Sequence, residues 1–64
     1  MKRAELIAHL SRNGCKLLRE GANHSIYSNP LNGNQASVGR HRELSDLLCQ
    51  KVCKQLGVPP IERK

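Results

Sequence analysis

Gly21-Ala22-Asn23-His24-Ser25-Ile26-Tyr27-Ser28-Asn29-Pro30-Leu31-Asn32-Gly33-Asn34-Gln35-Ala36-Ser37-Val38-Gly39 is the stretch on which the fold turns. Gly21-Ala22-Asn23 interrupts any regular pattern. From His24 to Ser28 the side chains alternate, with His24, Ile26 and Ser28 on one face and Ser25 and Tyr27 on the other. That period of two belongs to a strand. Asn29 to Asn34 is dense in turn-forming residues, and Asn32-Gly33 is a strong hairpin signal. Gln35 to Gly39 then supplies a short third strand, with Ala36 and Val38 on one face.

Reading upstream, Cys15 to Glu20 predicts a further strand, with Cys15 and Leu17 at alternate positions around Lys16. Asn13-Gly14 is a helix stop, because glycine accepts the left-handed conformation that ends helices. Before it, Leu6, Ile7 and Leu10 recur at helical spacing and predict a helix from about Lys2 to Arg12. Downstream, Leu44, Leu48, Val52 and Leu56 are spaced by four, with Leu47 expected to fill the same stripe. Ser45 can cap the first turn. Gly57 ends this second helix, and Pro59-Pro60 prevents its resumption. The expected architecture is α+β: helix, three-stranded antiparallel sheet, helix, both helices covering one face of the sheet. Double-stranded RNA-binding domains share this arrangement. Residues 1–64 form one expected domain, with 58–64 as a loose tail.

Composition narrows the functional class. A 64-residue chain with Tyr27 as its single aromatic has a small core of Leu, Ile, Val, Ala and Cys. Such a core cannot enclose a deep pocket, which disfavours cofactor enzymes and favours a partner lying across the surface. Eleven Lys and Arg against five Asp and Glu give a net charge of +6, so polyanions or an acidic protein are the natural partners. Three cysteines without a secreted-scaffold spacing, an N-terminus without a signal-peptide core and the lack of a membrane-length apolar run point to a reducing cytoplasm. Cys49 and Cys53, one helical turn apart, read as small apolar fillers rather than zinc ligands, since no close partner pair completes a set.

Taken in order, these pieces resemble the HicA-type messenger-RNA interferase toxins of toxin–antitoxin pairs. The resemblance runs from the opening helix to Gly57. It rests on Asn13-Gly14 closing a basic helix, on Leu17-Leu18-Arg19, and on Gly21, His24 and Tyr27 at family spacing. Asn23 stands where the family usually has Ser. Val38-Gly39-Arg40-His41 keeps the His of a family Val-Pro-x-His run without its Pro, and Lys54-Gln55-Leu56-Gly57 matches the closing run. The resemblance implies a toxin that cleaves messenger RNA without a metal or other cofactor. A HicB-type antitoxin, usually acidic, holds such toxins inactive.

Metal-free RNA cleavage needs an acid, a base and cations around the phosphate. Histidine as a residue type titrates near neutral pH and suits the first two roles. The family match makes His24 the expected catalytic residue. His41, between Arg40 and Arg42, is a second acid–base group, an RNA contact or a solvated loop residue. Lys16, Arg19, Arg40 and Arg42 are expected to hold phosphates, being on or beside the strands, and an Arg can grip two phosphate oxygens at once. Tyr27 either stacks on a base or packs in the core. Two other readings stand beside the nuclease: a non-catalytic RNA-binding module, and a degenerate toxin acting only through its antitoxin.

Overall fold

The computed structural model describes residues 1–61 and contains α1 (Arg3–Arg12), β1 (Lys16–Glu20), β2 (His24–Asn29), β3 (Asn34–Gly39) and α2 (Asp46–Leu56). The strands form one antiparallel sheet in the order β1-β2-β3. Each element lies within a residue or two of its expected bounds, and the fold is the helix–sheet–helix α+β arrangement that the alternation predicts.

Along β2 and β3, Ser25 pairs with Val38 and Tyr27 with Ala36, and this face turns toward the core. His24, Ile26 and Ser28 share the opposite, open face with Gln35 and Ser37. Leu6 and Leu10 of α1 and Cys49, Val52, Cys53 and Leu56 of α2 complete the core. α2 packs against β3. No helix among the described residues is long and apolar enough to cross a membrane.

Two expectations are corrected by the packing. Cys15 and Leu17 share a face by the strand alternation, yet Leu17 is 48% exposed while Cys15 is buried. β1 is the edge strand farther from α2, and a register shift between Leu17 and Arg19 leaves Leu18 bulged out and exposed. The second correction concerns α2. Leu47 is 62% exposed and Leu48 is also exposed; Val52 and Leu56 of the expected stripe are buried, joined by Cys49 and Cys53 rather than by the two leucines. A spacing of four drifts round a helix that advances about 100° per residue, so Leu47 lies about 180° from Leu56. Leu44 is buried, but it precedes the helix.

Ser45 caps α2 as expected, its hydroxyl accepting from the Leu48 amide at 3.1 Å. At the other end the Leu56 carbonyl accepts two side-chain amides, from Asn29 at 2.8 Å and Asn32 at 3.0 Å. The β2–β3 turn is thereby tied to the end of α2. Gly57 sits at φ +70°, and a Cβ there would lie 2.6 Å from Asn32 Nδ2. Gly57→Ala is therefore expected to cost about 1–3 kcal/mol, combining left-handed strain with a disturbed hydrogen bond. Urea unfolding measures it, and an unchanged midpoint would contradict the assignment.

Segment 58–61 is less loose than expected. Val58 is buried in the core, Ile61 packs against it, and His9 Nε2 donates to the Pro59 carbonyl at 2.7 Å. The rest of the expected tail, 62–64, lies outside the described residues. All three cysteines are buried. Burial pushes the Cys15 and Cys53 thiols up from their ordinary value, which keeps them protonated and fits their role as core fillers.

Candidate active site and its basic surround

His24 opens β2 immediately after the Gly21–Asn23 connection and is exposed. The connection is closed by the Gly21 amide, which donates to the His24 carbonyl at 2.7 Å. Across the sheet His24 is paired with Gly39, the last residue of β3, which has no side chain to shield the imidazole. A shallow recess of about 280 Å3 results, lined by Ala22, Asn23, His24, Gly39, Arg40 and His41. Two histidines and an arginine, separated by up to 17 positions in the chain, thus face one small space. Asn23, where the resemblance leads one to expect Ser, is part of its wall.

The backbone under this recess is held by a polar chain. The fully buried Ser25 hydroxyl donates to Glu20 Oε1 at 2.6 Å and accepts from Arg3 Nη2 at 3.0 Å. Arg3 Nε donates to the Gly39 carbonyl at 2.9 Å. Arg40 forms an ion pair with Glu20 at 2.7 Å and also donates to the Gly21 carbonyl. Arg3 thus braces the strand beside His24, while Arg40 closes the opposite side. The Glu20–Arg40 pair is about half-exposed, so its value lies in geometry more than in stability.

The remaining expected residues are placed unequally. Arg19 pairs with Ile26 on the open face, which sets it about 7–8 Å diagonally from His24. Lys16 pairs with Ser28, four residues along β2, or about 13 Å at the rise of a strand. It belongs to the open face but not to the recess. Arg42 is exposed beyond β3 and lines a neighbouring cleft. Tyr27 is half-buried on the core-facing side and packs against the core, so of its two open roles the structure realises packing.

Arg3, Glu20 and Ser25 carried no signal in the sequence. Arg3 is 36 residues from Gly39 and 22 from Ser25, and only the folded chain brings them together. Among the described residues no three His, Cys, Asp or Glu side chains gather in a way that could hold a metal ion.

Comparison with curated proteins and with solved structures gives no match. A family match covers nearly the entire folded part, residues 3–58, from the first residue of α1 to the residue after Gly57; the family is described as the HicA toxin of bacterial toxin–antitoxin. With a basic α1, a recess around His24 and a helix closing on Gly57, all inside that span, the chain belongs to the HicA toxin family.

Proposed function

We propose that this toxin is a metal-independent endoribonuclease that cleaves messenger RNA, with His24 as general acid or base. The observation that carries the reading is the exposed His24 imidazole sharing one recess with His41 and Arg40. In such a cleavage the ribose 2′-hydroxyl oxygen bonds to the adjacent phosphorus and the bond from phosphorus to the 5′ oxygen breaks. One proton leaves the 2′-hydroxyl and one reaches the departing oxygen. In this reading His24 carries one of these transfers. His41, on the same recess, is the nearest candidate for the other. Arg40 supplies positive charge where the phosphorane gains negative charge, and Arg19 and Arg42 extend it on either side.

A shallow open recess suits a strand that lies across the surface, and the net charge of +6 suits a polyanion. The same charge suits an acidic antitoxin of the HicB type, which would act by covering the recess in the cytoplasm. The experiment is induced expression in a bacterial host. Wild-type chain should arrest growth and deplete transcripts, His24→Ala should do neither, and co-expressed antitoxin should suppress the wild type. A fully toxic alanine variant would favour the RNA-binding reading, and a harmless wild type would favour a toxin acting only through its antitoxin.

A further inference from the structure

A second basic depression adjoins the His24 recess. A cleft of about 700 Å3 opens between the first turn of α1 and the segment after β3, lined by Lys2, Arg3, Ala4, Arg40, Arg42 and Glu43. Arg40 lines both spaces, so the cleft meets the recess at that residue.

The cleft is built by the backbone. Lys2 forms a bridge with Glu43, and the Arg3 amide donates to the Arg42 carbonyl at 2.9 Å. These contacts hold the start of α1 against residues 42 and 43. Two of its four cations are fixed: Arg3 by Gly39 and Ser25, Arg40 by Glu20 and Gly21. The other two, Lys2 and Arg42, are exposed and form no ion pair among the described residues. α1 also begins here without a side-chain cap, which adds the positive end of its dipole.

We propose that this cleft seats the RNA backbone flanking the cleavage site, with Lys2 and Arg42 each holding a phosphate and Arg40 marking the passage into the His24 recess. The inference rests on the RNA-cleavage reading and places the part of the strand that the recess is too small to hold. The composition of the wall favours nucleic acid over an acidic protein. Four cations face one acid, and Ala4 is the sole apolar lining residue. A protein interface concentrates its energy in buried aromatic and apolar anchors, which are missing here. A phosphate backbone requires positive charge and little else.

The test is binding of a fully 2′-O-methylated oligoribonucleotide, which lacks the attacking hydroxyl and stays intact whatever His24 does. Failure of the catalytic reading would therefore leave this readout unaffected. Affinity is measured against salt concentration for wild type, for Lys2→Gln/Arg42→Gln, and for Lys51→Gln/Lys54→Gln on the exposed side of α2 as an equal-charge control. The cleft pair should bind about tenfold more weakly or worse, with a salt slope smaller by about 1.4, the value for two single-strand phosphate contacts. The α2 pair should keep close to the wild-type slope. Circular dichroism checks that both pairs stay folded, and Arg42→Glu provides a second variant with the same expected direction. Equal losses in the two pairs would overturn the proposal. So would unchanged RNA binding accompanied by lost antitoxin binding, which would make the cleft a protein surface.

Discussion

Replacing His24 by alanine is expected to lower the rate of RNA cleavage by about 10²–10⁴-fold, the range lost with a general acid or base. The size of the effect follows from the position of the ring. It is exposed at the start of β2, and among the described residues it makes no hydrogen bond that a structural role would require. Its removal creates no cavity, so stability should stay within about 0.5 kcal/mol of the wild type. Activity and folding should therefore separate cleanly at this position. The comparison is a single-turnover cleavage assay beside a urea titration. A variant that loses cleavage by unfolding would point to a structural His24, and one that retains full cleavage would remove it from the chemistry.

Leu10→Ala is expected to have the largest effect on stability, about 2–5 kcal/mol. Leu10 is fully buried near the end of α1, and its carbonyl accepts the Cys15 amide at 2.9 Å, so it sits where the helix hands over to β1. A domain of this size has about 3–5 kcal/mol in total. The truncation is thus comparable with the entire stability of the fold, and much of the chain should be unfolded at room temperature. Leu47→Ala is the contrast. Although also a leucine, Leu47 is 62% exposed, and its loss should change stability by no more than about 0.5 kcal/mol. Circular dichroism in urea reads both. Equal costs at the two leucines would mean that Leu47 faces the core after all.

That contrast also shows what was legible in the sequence. Strong local signals were sufficient for the elements themselves. Asn13-Gly14, Asn32-Gly33 and Gly57 all end up at turns or helix ends where the glycine has positive φ. The alternation through His24–Ser28 sorted the residues of β2 onto its two faces, but which face is open, and hence the exposure of His24, is settled only by the packing of the helices. Local pattern failed wherever the answer depended on a distant element. Leu17 lost its cover because α2 lies over β3 at the other side of the sheet. The true face of α2 depended on where the helix begins and on what it meets. Cys49 and Cys53 were legible as fillers, but not as centres of the buried face.

The candidate site divides in the same way. His24, Arg40 and His41 were singled out from their residue types and the family resemblance, and they line one recess. Lys16 shared their chemistry but sits a strand's length away, a separation that register alone reveals. The supports of the recess were invisible, because the Arg3–Ser25–Glu20–Arg40 chain links α1, β1, β2 and the end of β3. A serine in a strand and an arginine in a helix are unremarkable until folding buries one against the other. Lys2 was equally silent, marking only the start of the predicted helix, although it shares a cleft with Arg42.

The most direct measurement is the chemistry of the ends that the purified, antitoxin-free protein leaves on a labelled RNA in the presence of EDTA. Attack by the 2′-hydroxyl with His24 moving a proton predicts fragments ending in a 2′,3′-cyclic phosphate, and no fragments from a substrate carrying 2′-deoxyribose at the cut position. Intact RNA under these conditions, or fragments ending in a 3′-hydroxyl, would contradict the account.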